Sequence, residues 1–263
     1  MSDVLQKILV RTREHVRRLK AVKNLAALET EASRMQPPQG FIKAIQNKIK
    51  TGDSAFITEM KKSSPSAGIL RPDYRPAALA EAYQKAGATC LSVLTDIAYF
   101  QGSNEDLIAA RNACTLPILR KDFMVDVWQV VEARTIGADC ILIIMAAVDD
   151  ALAADLHACA AQYGLDVLIE SHNRAELDRA LKLPSGLIGI NNRNLKTLKT
   201  DLGTTEDLAR YVPRDRILVS ESGIATPYDI ARLRRVDAHA FLIGEALLKQ
   251  KDVAGSLQAL TSA

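Results

Sequence analysis

The sequence has little net charge, no long apolar run and no targeting segment. Its 34 basic and 31 acidic side chains leave a net charge of +3 over 263 residues, too small to indicate binding to nucleic acid or a membrane surface. No apolar run approaches the roughly 18 residues of a transmembrane helix, and the amino-terminal stretch lacks the apolar region of a secretory signal. We therefore predict a cytoplasmic protein without nucleic-acid or membrane partners.

Metal and disulfide signatures are also missing. The cysteines are far apart and form no Cys-x-x-Cys pair: Cys90, Cys114, Cys140 and Cys159. We expect them to be free and mostly buried thiols. The four histidines have no His-x-x-x-His spacing, so no metal site is predicted. There is no Gly-x-Ser-x-Gly elbow and no cysteine with an evident base partner.

What the sequence does contain is a regular alternation of apolar runs and helical segments. The runs lie roughly 20–35 residues apart, the span of a strand, a helix and two short loops. They are AFITEM, TCLSVLT, LPILRKDF, DCILIIM, DVLIES, GLIGINN, RILVSES and HAFLIGE. The alternation predicts an α/β protein with a (β/α)8 TIM barrel. A doubly wound open sheet is the alternative, but its Gly-x-Gly-x-x-Gly turn is absent.

Helix signals fill the intervals and the amino terminus. Pro76 and Gly87 bracket one predicted helix, and Thr226 and Pro227 begin another. Residues 1–50 are predicted to be a helical extension of a single domain, with the barrel over residues 55–250. One basic amphipathic helix is expected there, and its apolar positions are Leu5, Ile8, Val16 and Leu19. A second helix is expected after MQPPQG. Packing on the barrel is the preferred interpretation, and docking on a membrane or an acidic partner is the alternative.

Charged side chains stand where the apolar runs end. Because TIM barrels carry their chemistry at the carboxyl ends of the strands, these positions are candidate site residues. They include Glu59, Lys61, Thr95, Asp96, Lys121, Asp122, Glu170, Asn191, Arg193, Glu221, Ser222 and Glu245. Solvated rim residues are the alternative for any one of them. Two lysines and three glutamates at one mouth predict acid–base chemistry, because opposite charges at low dielectric shift each other's pKa.

The first and last strand ends add two expectations. Glu59 and Lys61 are two residues apart and are predicted to point together toward the mouth, whereas Lys62 faces elsewhere. Gly223 and Gly244 follow the seventh and eighth strands, where backbone N–H groups of such barrels bind phosphate. With Ser64 and Lys61 placed to close the site from the first loop, a small phosphorylated substrate is predicted.

Several motifs together resemble one family. EMKKSSPSAG, SVLTDIAYFQGS, PILRKDFMVD, GADCILII, LIESH, IGINNRNLKTLKTDL, LVSESGI and FLIGEALL, spread over about residues 40–250, are similar to the indole-3-glycerol-phosphate synthases of tryptophan biosynthesis. The resemblance implies closure of carboxyphenylamino-deoxyribulose phosphate to an indole, with loss of carbon dioxide and water. It implies no metal or organic cofactor.

The resemblance also implies roles for individual residues. Lys121 resembles the general acid that protonates the substrate carbonyl, and Glu170 the carboxylate that assists loss of the hydroxyl and the ring proton. Lys61, with Glu59 beside it, resembles the residue that binds the anthranilate carboxylate. Asn191 and Glu221 resemble groups that hold sugar hydroxyls and fix the lysines in place, and Ser222 lies next to them. The residues implied at the phosphate end are Ser64, Arg193, Gly223, Gly244 and Glu245.

The pKa of Lys121 bears on its expected role as the acid. We expect burial and a second lysine to lower this pKa, so that Lys121 delivers a proton near neutral pH. Ser171 and Ala67 depart from the family, which more often has valine and lysine at these positions.

A related barrel such as phosphoribosyl-anthranilate isomerase is one alternative. That enzyme would be expected to use a cysteine and an aspartate as its acid–base pair at the strand ends, whereas Cys90 and Cys140 start strands. A non-catalytic scaffold is another. A monomer is expected, with association with other tryptophan-pathway enzymes left open.

Overall fold

The computed structural model describes residues 3–261. Within them, eight parallel strands close into a barrel in which each strand pairs with the next along the chain and the last pairs with the first. The strands are β1 (Ala55–Met60), β2 (Cys90–Leu94), β3 (Ile118–Lys121), β4 (Cys140–Ile144), β5 (Asp166–Ser171), β6 (Leu187–Asn191), β7 (Ile217–Glu221) and β8 (Ala240–Ile243). The predicted (β/α)8 barrel is confirmed, and the open doubly wound sheet is excluded.

Helices separate the strands along the chain. After the amino-terminal helices come α4 (Pro76–Lys85), α5 (Ile97–Phe100), α6 (Asn104–Ala113), α7 (Val127–Thr135), α8 (Asp150–Gln162), α9 (Arg174–Ala180), α10 (Gly203–Ala209), α11 (Pro227–Arg234), α12 (Glu245–Leu248) and α13 (Val253–Thr261). The predicted boundaries of α4 and the predicted start of α11 are confirmed. Gly87 follows α4 with a φ of 89°, and the Thr226 side chain caps α11 by accepting from the Asp229 N–H.

The amino-terminal extension contains three helices: α1 (Asp3–Val22), α2 (Leu25–Ala32) and α3 (Phe41–Lys50). The prediction of a single helix before the MQPPQG stretch is therefore wrong. Asn24 interrupts it with an extended backbone, and its side chain accepts a hydrogen bond from the Ala27 N–H to begin α2. An asparagine competes for backbone hydrogen bonds in this way, so it favours a helix start over a helix interior.

The apolar side of α1 packs within the protein. Leu5, Ile8 and Val16 are buried, and Leu19 packs with Val16 against a small cluster that includes Trp128 of α7. This packing favours the extra helix docked on the barrel over the membrane or acidic-partner alternative. No helix of residues 3–261 is long and apolar enough to cross a membrane.

Charged side chains are rare in the barrel strands until these reach their carboxyl ends. Every residue of β1, β2, β4 and β8 is buried, as expected for parallel strands covered by helices. The thiols of Cys90, Cys114 and Cys140 are buried and free, and that of Cys159 is half-buried and free, which confirms the prediction for cysteine. Polar side chains therefore enter this core mainly where the strands end.

Candidate active site

The carboxyl ends of the strands open onto a cavity of about 450 Å³, called here the main cavity. The predicted site residues that line it are Glu59, Lys61, Lys121, Asp122, Glu170, Asn191, Arg193, Glu221, Ser222, Gly223, Gly244 and Glu245. Ser64 is buried in a short hairpin and accepts a hydrogen bond from the Ala67 N–H at 3.2 Å. It lies outside this lining, as do Thr95 and Asp96. The structure thus brings together most of the predicted set.

Lys121 is at the centre of the site. Its Nζ donates to Glu170 Oε2 at 2.9 Å and to Glu221 Oε2 at 2.6 Å. Burial lowers the pKa of Lys121, but the charges of Glu170, Glu221 and Glu59 outweigh burial and raise the pKa above its ordinary value. The expected lowering of this pKa is therefore wrong. The second lysine, Lys61, donates to Glu59 instead, so its charge is largely compensated.

The two glutamates that bind Lys121 differ in their own surroundings. Burial raises the pKa of Glu170, but Lys121 and His172 together hold it well below its usual range. For Glu221 burial is again the largest effect and Lys121 opposes it, while repulsion from Glu170 adds to it, so its pKa rises to about 8. Glu221 Oε1 has no hydrogen-bond partner in the described part of the chain.

Two glycines make room for carboxylates on adjacent strands. A Cβ at Gly244 would lie 2.6 Å from Glu59 Oε1, and a Cβ at Gly189 of β6 would collide with Glu221 Oε1. Both positions have no space for a side chain, whatever the backbone angles. Gly244, predicted from the sequence as a phosphate-binding position, therefore also has a steric role. Its lack of a side chain leaves room for the Glu59 carboxylate, which pairs with Lys61 at the main cavity.

One wall of the main cavity is apolar and the opposite end is polar. Phe100 and Phe123 have ring centroids 6.3 Å apart, and they line the cavity with Leu94, Leu142 and Ile144. The polar end contains consecutive residues with positive φ, Ser222 at 67° and Gly223 at 80°. Such a cavity suits a ligand with an aromatic ring at one end and polar groups at the other.

Cations and one carboxylate meet at the polar end. Arg193 Nη2 lies 3.1 Å from Glu245 Oε2, and Lys249 Nζ lies 2.7 Å from Glu245 Oε1. Glu245 was predicted at the phosphate end, but a carboxylate repels phosphate, and here it pairs with the two cations. Lys249 lines the cavity and was not predicted, because it follows the eighth strand end by six residues and carries no motif.

His172 was also missed. The histidines were expected to matter only as metal ligands, whereas His172 Nε2 lies 3.2 Å from Glu170 Oε1 and its Nδ1 lies 3.0 Å from Glu176 Oε2. A signal was present: His172 follows Glu170 by two residues, and Glu176 follows His172 by four. Residues two apart at a strand end point to the same side, which brings His172 next to Glu170. The spacing of four places Glu176 in the first turn of the following helix, within reach of His172.

The fold and the main cavity define a TIM-barrel enzyme whose buried lysine–carboxylate cluster lies at the carboxyl ends of the strands. The family model "Indole-3-glycerol phosphate synthase" matches residues 5–260. The chain is 56% identical over 261 residues to an indole-3-glycerol phosphate synthase of Rhodospirillum rubrum. It is 53% identical over 260 residues to one of Azospirillum brasilense. Each alignment covers 99% of both chains.

The chain therefore belongs to the indole-3-glycerol phosphate synthase family, the carboxy-lyases of tryptophan biosynthesis. The family resemblance drawn from the motifs is confirmed. The isomerase and non-catalytic scaffold alternatives are set aside by a match that extends over nearly the whole chain.

Proposed function

We propose that the main cavity converts 1-(2-carboxyphenylamino)-1-deoxyribulose 5-phosphate to indole-3-glycerol phosphate, with Lys121 as general acid and Glu170 as general base. The observation that carries this proposal is the placement of Lys121 Nζ, 2.9 Å from Glu170 and 2.6 Å from Glu221, at a cavity with one aromatic wall. An acid and a base in contact with each other can serve consecutive proton transfers on one substrate.

Ring closure is the first step. The aromatic carbon that bears the carboxylate attacks the ketone carbon, a C–C bond forms, and the carbonyl π electrons move to oxygen. That oxygen takes a proton from the Lys121 ammonium. The raised pKa of Lys121 keeps it protonated before the reaction, and the transfer follows the growth of negative charge on the oxygen.

Decarboxylation and dehydration complete the indole. The C–CO₂ bond breaks and its electron pair restores the aromatic ring, so no metal is needed to accept electrons. Lys121 regains a proton from solvent and donates it to the hydroxyl, which leaves as water while the nitrogen lone pair moves through the aromatic ring to the carbon that loses it. The adjacent methylene gives its proton to Glu170, and that C–H electron pair forms the double bond of the indole. Two protons are donated and one returns, so one proton is taken up per turnover.

The remaining residues orient the substrate. Lys61 binds the anthranilate carboxylate, and the ring packs on Phe100 and Phe123. Asn191, Glu221 and Ser222 hold the sugar hydroxyls, and the phosphate lies near Gly223 and Gly244, with Arg193 and Lys249 as the neighbouring cations. Ser64 lies outside the lining of the main cavity, and its contact with the phosphate stays a prediction. The monomer, the association with other pathway enzymes and the cytoplasmic location stay predictions.

Indole fluorescence tests the proposed chemistry directly. The protein is mixed with the carboxyphenylamino substrate, and product is followed in wild type, Lys121→Ala and the matched control Lys62→Ala. Lys62 is half-buried outside the main cavity, so its replacement leaves turnover unchanged. Lys121→Ala abolishes most turnover, by about 10²–10⁴-fold, while the substrate dissociation constant stays within about tenfold. Turnover that survives in Lys121→Ala would contradict the assignment of the acid.

A further inference from the structure

His172 joins the catalytic cluster to a second pair of residues. It follows β5 directly, and its Nε2 lies 3.2 Å from Glu170 Oε1, an ion-pair contact without hydrogen-bond geometry, while Lys121 binds the other oxygen of Glu170. Its Nδ1 lies 3.0 Å from Glu176 Oε2, and its backbone N–H donates to the same oxygen at 2.8 Å. The imidazole is thus held between two carboxylates, one in the main cavity and one on α9.

Glu176 is itself fixed from both ends. Its Oε1 accepts a hydrogen bond from the Asn173 side chain at 2.6 Å, and its backbone N–H donates to the Asn173 side chain at 3.0 Å. The Asn173 cap therefore orders the first turn of α9 and with it the Glu176 carboxylate. Because Glu176 cannot move freely, it holds the His172 ring in one orientation.

The charged groups around His172 favour its cationic form. On β5 it faces Glu170, with Lys121 and Glu221 beyond, and on α9 it faces Glu176. A side cavity behind it, lined by His172, Glu176, Asn194 and Lys196 among others, has a volume of about 370 Å³. Burial lowers the pKa of His172, but the two glutamates outweigh burial and raise it to about 10. His172 is therefore protonated at neutral pH.

We propose that His172, held by Glu176, is the positioning residue for Glu170: it fixes Glu170 Oε1 and supplies the second positive charge that keeps this base ionised. This inference rests on the proposed role of Glu170. Lys121 alone faces two buried carboxylates, and one lysine cannot compensate both charges at low dielectric. With His172, the Glu170 carboxylate has a cation on each oxygen.

The role is indirect, because His172 is absent from the lining of the main cavity. Its loss therefore affects the protonation and orientation of Glu170 rather than contacts with substrate. Without the His172 charge, the pKa of Glu170 rises toward that of Glu221. A larger fraction of Glu170 is then protonated at a given pH, and the protonated carboxyl cannot take the methylene proton.

The test measures kcat and KM against pH for His172→Ala, His172→Gln and Glu176→Gln. His157→Gln is the matched control, since His157 is a half-buried histidine on α8 outside both cavities. In His172→Ala we expect kcat to fall about 100-fold, the low end of what a positioned acid or base contributes, with KM within about threefold. The acidic limb of kcat moves to higher pH.

The other variants distinguish the effect of His172 on the orientation of Glu170 from the effect of its positive charge. His172→Gln keeps an amide donor for Glu170, so it recovers part of kcat while its acidic limb stays shifted. Glu176→Gln shifts the limb in the same direction by a smaller amount, and His157→Gln matches wild type. Each variant is first compared with wild type by circular dichroism, and Glu176→Gln serves if the His172 variants fail to fold.

An acidic limb at the wild-type pH in folded His172→Ala, or in Glu176→Gln if His172→Ala does not fold, overturns the positioning role. Glu170→Gln shows which proposal has failed. If Glu170→Gln is inactive while His172→Ala behaves as wild type, only the role of His172 is lost. If Glu170→Gln turns over as wild type does, the proposed function of Glu170 itself is wrong.

Discussion

Glu170 and Glu221 contact the same lysine and are almost equally buried, yet their pKa values move in opposite directions. Glu170 is held ionised by Lys121 and His172, whereas Glu221 has only Lys121 and is raised to about 8. Burial is the largest single effect on both and has the same sign. We attribute the difference to the number of cations per carboxylate and to the repulsion of Glu221 by Glu170, rather than to depth.

The same comparison indicates different roles for Glu170 and Glu221. The ionised Glu170 is suited to take a proton from carbon, while Glu221 is partly protonated near neutral pH and can donate a hydrogen bond as well as accept one. Its unpartnered Oε1 lies in a space that Gly189 leaves open. A sugar hydroxyl is the kind of ligand such a group holds.

The largest expected effect comes from neutral replacement of each glutamate in turn. Glu170→Gln removes the base and leaves His172 without one of its carboxylates, so kcat falls about 10³-fold. Glu221→Gln resembles the protonated form that this residue already populates near neutral pH, so kcat falls only about tenfold. Steady-state kinetics at pH 7 of both purified variants makes the comparison. Equal losses would mean that the two carboxylates share one role.

A smaller effect is expected where Glu221 is displaced but not removed. Gly189→Ala places a Cβ against Glu221 Oε1 and 3.2 Å from Leu168 Cδ1, so Glu221 shifts away from Lys121 and kcat falls about tenfold, as in Glu221→Gln. Gly186→Ala is the matched control, because its Cβ would make an ordinary contact of 3.6 Å with Ile42. Wild-type kcat in Gly189→Ala would show that the position of Glu221 is not important.

The smallest expected effect concerns Ser171, which lies between Glu170 and His172 but points away from them. Its side chain is fully buried, and its hydroxyl has no hydrogen-bond partner among residues 3–261. Ser171→Ala removes this unsatisfied group, so the free energy of unfolding rises by about 1 kcal/mol while kcat is unchanged. Urea unfolding measures the first quantity. A loss of stability would show that the hydroxyl is satisfied in solution.

The fold could be predicted from the sequence because its signals are local. Each apolar run and each cap, such as Thr226 before α11, lies within a few residues of what it specifies. The end of α1 before Asn24 was missed because the apolar periodicity continues past it. The Asn24 side chain nevertheless caps a new helix there. Both outcomes follow from interactions within one or two turns of the chain.

The site was only partly predictable, because its electrostatics depend on neighbours across the barrel. Strand ends identified Lys121, Glu170 and Glu221, but not which oxygen faces which cation. The pKa of Lys121 was predicted with the wrong sign because the charges of the surrounding glutamates outweigh burial. The second lysine, Lys61, pairs with Glu59. Ser64 follows β1 closely in sequence, but it lies in a short hairpin and outside the lining of the main cavity.

Carbon-13 NMR of side-chain carboxyls tests the central claim most directly. In protein labelled at glutamate, the Glu170 and Glu221 signals are assigned by their loss in Glu170→Gln and Glu221→Gln and followed against pH. We expect Glu221 to lose its proton near pH 8, and Glu170 to stay ionised down to a pH well below its ordinary pKa of 4.5. Two carboxyls that titrate together near the ordinary value, or Glu170 titrating above Glu221, would contradict the account.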